Sequence, residues 1–486
     1  MRHTVRFLLG NEPRELAQAD PTMTVLDYLR RVERRCGTKE GCAEGDCGAC
    51  TVVLAERDQD GHRLTYRAVN ACIQFVPDLD GRQLITVEDI GTPRTLHPVQ
   101  QAMCTAHASQ CGFCTPGIVM SLFAAARSGG TRGRAAWKEA LAGNLCRCTG
   151  YGPILAAAES LGAEARDDAF AAGETDTLAA LAALEDGSGL AMESAHRRWY
   201  APHSLEGALA LVARYPDARL VAGLTDVGLW VTKQYRSLDT VISLARVREL
   251  LAIGEDDGHI EIGAAVTLEA ARHLLVRTWP ALDPLIARFA SRQIRNVATI
   301  GGNIANGSPI GDLAPALIAL GATLVVRRSV GVRVVAVEDF FLEYGRQDLR
   351  EGELLEAVRV PKPAEDQIFA CYKISKRFEQ DISAVMAAFR ITGDRHRVTE
   401  ARLAFGGMAG TPARARGAEE ALTGRPFDEA AVTAAMAALD EDFAPISDMR
   451  ASADYRRAVA RNLILKFYLE TVGEKGISRL DAELAS

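Results

Sequence analysis

Weak alternation of apolar and polar residues marks positions 4–9 and stops at Gly10-Asn11, a hairpin signal, so residues 14–18 are expected to return as the partner strand. Residues 27–34 read as a short helix, and the apolar runs 51–55 and 84–87 as further strands. These elements predict a small strand-rich domain in which a helix lies over a curled sheet. From position 98 to about 161 the period becomes helical, with 99–108, 117–127 and 134–142 as candidate helices separated by glycine-rich turns. That pattern predicts a second, all-α domain. Residues 164–196 are rich in Ala, Asp, Glu and Gly, with one helical stretch at 177–184, and read as an inter-domain linker. Beyond it, a helix at 205–215 and buried strands at 219–222 and 323–327 give an α+β class. From position 367 onward a strand at 401–405 and a closing helix at 458–471 complete the pattern, and no solenoid-type repeat is present.

Length and composition narrow the picture. At 486 residues the chain exceeds what one core usually serves, and 48% apolar with 24% charged residues is the make-up of an ordinary soluble protein. A net charge of −7 without a basic block argues against nucleic acid or an anionic membrane as partner. No run approaches eighteen apolar residues, so no membrane span is expected, and the short apolar run after Met1 is too brief for a signal core, so the chain is expected in the cytoplasm. Eleven cysteines in such a setting are expected to stay reduced, which makes metal binding their leading explanation.

Cys42, Cys47, Cys50 and Cys72 follow the pattern C-x4-C-x2-C…C, the spacing of plant-type 2Fe-2S ligands. Gly41, Gly45 and Gly48 let that loop wrap closely and turn backbone N–H groups toward the sulfurs. A zinc ribbon would show two C-x2-C knuckles instead. Cys111, Cys114, Cys146 and Cys148 form a second set, C-x2-C with C-x-C, at predicted helix ends. Spacing alone leaves zinc open there. Cys36, Cys104 and Cys371 read as thiols outside either set.

The chain has neither a G-x-G-x-x-G nor a Walker loop. Two other loops are candidates for a nucleotide cofactor. One is Leu220-Val221-Ala222-Gly223-Leu224-Thr225-Asp226-Val227, and the other is Thr299-Ile300-Gly301-Gly302-Asn303 with its continuation to Asp312. In each, a short apolar strand is expected to run into glycine with hydroxyl or amide residues, which permits close backbone approach and N–H donors for a pyrophosphate. A simple turn is the competing reading of the Gly-Gly pair.

The segments Gln110-Cys-Gly-Phe-Cys-Thr-Pro-Gly117 and Asn144-Leu-Cys-Arg-Cys-Thr-Gly-Tyr151 resemble the paired signatures of the molybdenum hydroxylase family, whose small iron–sulfur domains hold one plant-like and one helical 2Fe-2S site. The two glycine loops resemble the FAD-diphosphate loops of that family's vanillyl-alcohol oxidase-like flavin domain, and Phe405-Gly-Gly-Met-Ala-Gly410 resembles its C-terminal flavoprotein domain. The resemblance implies two 2Fe-2S clusters and FAD. It assigns the pyrophosphate and ribityl chain to residues 220–227 and 299–303, a hydroxyl to Asp312, the isoalloxazine neighbourhood to Phe289, and further flavin contacts to Leu355 and Lys373. Leu224 stands where bacterial relatives often carry a second glycine. The stretch from Tyr372 to Ser383 resembles a loop that selects NAD or oxygen as electron acceptor, with an ordinary charged turn as the alternative.

Under this resemblance the chain is α+β and multidomain: a plant-type ferredoxin-like β-grasp domain at 1–88, an all-α helical 2Fe-2S domain at 89–163, a linker at 164–194, an FAD-binding domain at 195–363 and a C-terminal α+β flavoprotein domain at 364–475. No molybdopterin domain follows, so catalysis is expected on a partner, a molybdopterin-binding large subunit in a heterotetramer of two small and two large subunits. Gln110 would contact the pterin, with a helix cap or a buried amide as the alternative. The fusion of these parts resembles the bacterial xanthine dehydrogenase branch of the family. That branch implies oxidation of hypoxanthine and xanthine with NAD⁺ as acceptor, while aldehyde or N-heterocycle oxidation, a freestanding NADH:acceptor reductase and a non-enzymatic electron carrier stay open.

Overall fold

The computed structural model describes residues 1–58, 60–129, 133–194 and 196–472, so position 195, where the flavin domain is expected to open, and positions 473–475 at the end of the last domain lie outside the described residues. The chain forms two compact units, residues 1–248 with 290–298, and residues 249–289 with the chain from 299 onward.

The first unit opens with a mixed five-stranded sheet whose strand order is Glu12–Leu16, Val5–Leu9, Gln83–Ile85, Thr51–Arg57, Leu64–Asn70. Only the pairing of Val5–Leu9 with Gln83–Ile85 is parallel. Thr24 caps the helix Val25–Asp27, which widens into a single π turn, Tyr28–Val32. The return strand lies two residues earlier than the sequence pattern suggests, because the two-residue Gly10-Asn11 turn, with Gly10 at φ +58°, fixes the register Leu9↔Glu12. Strand Leu64–Asn70 escaped the pattern reading: its first four positions are half-buried and lack alternation.

Four helices follow, Pro98–Thr105, Thr115–Arg127, Gly133–Leu141 and Gly152–Glu159. The last begins with Gly152-Pro153, which reads as a turn yet suits a helix start, where proline's missing N–H costs nothing. The expected linker is folded. It forms Ala169–Ala172 and Glu174–Leu184, and its Leu190–Glu193 is an edge strand of the next sheet. The physical reason is Asp168, buried between His97 Nε2 at 2.9 Å and the Arg127 guanidinium, which itself stacks 4.2 Å from the Tyr66 ring centroid. Glu174 also accepts the Leu64 N–H at 2.8 Å. The four-stranded sheet that follows orders Leu190–Glu193, Arg198–Ala201, Thr240–Ser243 and Arg219–Val221, the last three mutually parallel.

The second unit contains an antiparallel sheet ordered Ile253–Glu255, His259–Gly263, Leu354–Pro361, Thr323–Arg328, Gly331–Ala336. A four-stranded sheet, also antiparallel, orders Gln367–Ile374, Val385–Gly393, Val398–Gly406 and Ala413–Arg414. Val385–Gly393 is buried over its first seven residues, the signature of a strand covered on both faces. Phe389, Phe405, Phe427, Phe443 and Phe467 form the core between this sheet and the helices Glu429–Asp442 and Ala453–Val472. Each such ring contributes about 2–3 kcal/mol by leaving water. Among the described residues no helix is long and apolar enough to cross a membrane.

Candidate cofactor sites

The first cysteine loop follows directly on the helical stretch and is wound by left-handed residues, Ala43 at φ +54°, Gly45 at +80° and Gly48 at +69°. Gly48 has no room for a side chain, since a Cβ there would strike the Gly143 carbonyl. This winding brings Cys42 and Cys47 together: each backbone N–H lies 3.3 Å from the other's Sγ. Cys50 and Cys72 are both buried and in side-chain contact, and Cys72 also touches Cys42. Its contact with Cys42, then that with Cys50 and burial, pushes the Cys72 thiol up, and contact with Cys42 does the same to Cys47. Thiols crowded in this way do not all ionise without a cation among them.

The second set sits at the start of helix Thr115–Arg127 and ahead of helix Gly152–Glu159. Cys111 and Cys148 approach with sulfurs 3.5 Å apart, both exposed, while Cys114 contacts the buried Cys146. Burial, reinforced by Cys146, pushes the Cys114 thiol up to about 12. The Tyr151 hydroxyl accepts the Cys146 N–H at 2.8 Å, and Tyr151 holds φ +65° to do so. Among the described residues no three His, Cys, Asp or Glu side chains group as ligands of a single metal ion. In the second set the thiols meet as two pairs, whereas in the first Cys42–Cys47 and Cys50–Cys72 are joined through the Cys42–Cys72 contact. Gln110 is exposed beside Cys111, which removes the buried-amide alternative.

In the first unit, the loop after strand Arg219–Val221 carries Leu220 to Val227. Gly223 approaches residues 297 and 298 so closely that a Cβ would run into the Val297 carbonyl. Leu224 takes φ +61° with its side chain 3% exposed in the core, so the residue replacing the family's glycine keeps a glycine-like backbone. Among the described residues the N–H groups of Gly223, Leu224, Thr225 and Asp226 have no partner, whereas the Gly223 carbonyl accepts from Gln74 at 3.1 Å.

The second loop, in the other unit, differs from expectation in two ways. No strand leads into it: Thr299 makes a single bridge to Thr267 and caps the helix Ile300–Asn306. Its amides are also already engaged, Ile300 to the Val266 carbonyl, Gly301 to Ala264, Gly302 to the Thr299 hydroxyl and Asn303 to the Thr299 carbonyl. What this loop offers is a side chain, since the buried Asn303 Oδ1 has no partner among the described residues. In the same unit Lys373 and Asp312 form a buried ion pair, and Asp312 also accepts from the Ser383 hydroxyl. Leu355 is buried in strand Leu354–Pro361, and Phe289 ends helix Asp283–Arg288. Arg288, which the sequence reading passed over, binds the carbonyls of Lys373 and Phe378 at 3.0 and 2.8 Å and stacks on the Phe378 ring. It pins the 372–383 stretch.

Sequence profiles cover most of the chain: a 2Fe-2S iron-sulfur cluster binding domain over residues 9–76, a 2Fe-2S binding domain over 86–159, the FAD binding domain in molybdopterin dehydrogenase over 192–363, and the CO dehydrogenase flavoprotein C-terminal domain over 370–471. A solved carbon monoxide dehydrogenase from Hydrogenophaga pseudoflava, which lacks the Mo-pyranopterin moiety, is 30% identical and superposes with a TM-score of 0.53 over 56% of this chain and 96% of that one. The chain belongs to the molybdenum hydroxylase family. Within it, the solved quinoline 2-oxidoreductase of Pseudomonas putida 86 is 29% identical, covering 57% of this chain and 96% of that one at a TM-score of 0.52. Two xanthine dehydrogenases match nearly all of this chain, that of Emericella nidulans at 34% identity over 97% of it and that of Drosophila pseudoobscura pseudoobscura at 36% over 95%. The chain spans 39% of the length of each. As a molybdenum hydroxylase component it carries two 2Fe-2S domains and an FAD-binding domain.

Proposed function

We propose that this chain conducts electrons in a xanthine dehydrogenase-type molybdenum hydroxylase of the cytoplasm, between a molybdopterin-bearing partner subunit and NAD⁺. The observation that carries the reading is the meeting of the eight thiols as two sets of four, each supplying two neighbouring pairs. A binuclear cluster takes two thiolates on each iron. Cys42 with Cys47 and Cys50 with Cys72 supply one such set, and Cys111 with Cys148 and Cys114 with Cys146 the other. A single zinc ion would call for one convergence of four, so the pairs favour iron at the second set, where spacing alone left zinc open.

The flavin residues also fit their group. The unpartnered amides of Gly223 to Asp226 suit a pyrophosphate, and the unpartnered Asn303 Oδ1 suits a ribityl hydroxyl. Asp312, oriented by Lys373 and Ser383, would accept from another hydroxyl, and Phe289, at the end of helix Asp283–Arg288, would pack near the isoalloxazine. When bound, the clusters pass electrons singly and FAD joins single-electron to two-electron chemistry, as a two-electron purine oxidation coupled to NAD⁺ requires. Exposed Gln110, beside exposed Cys111 and Cys148, faces outward where a partner's pterin could reach it.

The test has two stages. The anaerobically purified chain is expected to hold four irons per FAD and to give two distinct EPR signals on reduction; zinc in place of iron would end the reading at once. Co-expressed with its molybdenum partner, it is expected to reduce NAD⁺ with hypoxanthine or xanthine. A fully loaded complex that oxidises only aldehydes or other N-heterocycles would keep the electron path and overturn the purine assignment.

A further inference from the structure

Between the two cysteine loops lies a closed network of polar side chains, all buried, whose centre comes from a segment remote in sequence. Gln293, fully buried on the helical turn Arg292–Arg295, directs its Nε2 to Asn144 Oδ1 at 2.9 Å, to Ser121 Oγ at 3.1 Å and to Thr51 Oγ1 at 3.4 Å. Ser121 donates to the same Asn144 oxygen at 2.7 Å. Asn144 Nδ2 then reaches the Gly48 carbonyl at 3.1 Å and Thr51 Oγ1 at 3.3 Å, and the Thr51 hydroxyl donates to Gly48 as well. Gly48 follows Cys47, Thr51 follows Cys50, and Asn144 stands two residues before Cys146.

The network brackets one backbone hydrogen bond, from Leu145 N–H to the Cys47 carbonyl at 3.0 Å. Cys47 belongs to the first set, and Leu145 is covalently joined to Cys146 of the second. A route of covalent bonds and one hydrogen bond therefore runs from one cysteine loop to the other. Electronic coupling along such a route falls steeply if the hydrogen bond lengthens or breaks. Removing Gln293 takes away one of the two donors to Asn144 Oδ1, leaving Ser121 alone to fix the amide that reaches Gly48. Gly143 shows how closely the amide is seated, because a Cβ there would collide with Gln293 Oε1.

We propose that Gln293 is a positioning residue for electron transfer between the two cysteine loops, acting through Asn144 to hold the Leu145–Cys47 hydrogen bond. The inference rests on the assignment of a cluster to each set. The transfer moves one electron with no proton and no bond change, oxidising one loop's cluster by one electron and reducing the other's by one.

The experiment compares wild type with Gln293→Met, which keeps length and loses both donors, and with Ser121→Ala, which removes a single strut. Hydrogen exchange at the Leu145 amide is read first, in the purified full chain. We expect at least tenfold faster exchange in Gln293→Met and a smaller effect in the same direction in Ser121→Ala. Freeze-quench EPR after a substoichiometric pulse of reductant then follows equilibration between the clusters in the loaded complex. Both signals are expected at wild-type intensity, with equilibration slowed at least tenfold. Unchanged exchange and unchanged equilibration in Gln293→Met overturn the proposal. If that variant fails to fold, Ser121→Ala decides it by the same two readings, and a wild type without two cluster signals refutes the cluster assignment instead.

Discussion

Single residues in this chain hold backbone where a cofactor would need it. Gly223 is the clearest: its missing Cβ lets the loop pass the Val297 carbonyl, and its own and its neighbours' amides have no partner among the described residues. Gly223→Ala is expected to cost about 1–3 kcal/mol of stability through overpacking and to lower the ratio of bound FAD to protein, read from visible absorbance. Leu224 is legible only in part, since sequence marks it as a departure from glycine but not that it keeps φ +61°. A buried leucine can hold that conformation because core packing offsets a backbone cost of about 1–2 kcal/mol. Gln293 was not legible at all. Its role depends on residues far from it in sequence, and nothing in Arg292-Gln293-Ile294-Arg295 separates it from a surface amide.

A residue with no part in either cysteine set sets a pH dependence. Asp78 Oδ2 is buried without a partner among the described residues, and burial pushes its carboxyl up to about 7 against the opposing pull of Arg82. A carboxyl raised in the folded state favours folding when protonated, so its contribution is largest at low pH and is lost as pH rises through about 7. Asp78→Asn is expected to melt higher than wild type at pH 8.5, with the margin shrinking steadily as pH falls from about 7 toward about 4. A melting difference that stays equal across that range would contradict this.

Elements with a strong period were the most legible. Helices Thr115–Arg127 and Leu205–Arg214 and strands Arg219–Val221 and Thr323–Arg328 lie within two residues of their expected bounds, because each buries one consistent face or run. The helices within the linker were less legible for the opposite reason: its composition is that of a loose tether, and what anchors it are carboxylates satisfied from elsewhere, Asp168 by His97 and Arg127 and Glu174 by the Leu64 N–H. Asp168→Ala removes the carboxylate that His97 Nε2 and the Arg127 guanidinium share, and a cost of roughly 3 kcal/mol follows. Limited proteolysis is expected to open the variant between residues 161 and 187 long before wild type. The second glycine loop was misread because the Gly-Gly pair signals close approach without saying to what. In the structure Gly301 lies against Ala264 and the amides are consumed locally.

On the scale of the whole molecule, the cysteine spacings made the two cluster domains readable, since ligand geometry constrains sequence more tightly than packing does. The flavin half depended on family likeness, because its site residues are scattered over loops of ordinary composition. The chain does not divide where its domains do. Residues 290–298 complete the unit that holds both cysteine sets, although 249–289 before them and the chain after them belong to the other. A ribosome therefore delivers all eight cysteines well before the segment bearing Gln293, so the nascent protein has Ser121, Asn144 and Thr51 in place around the Leu145–Cys47 bond before their central amide arrives.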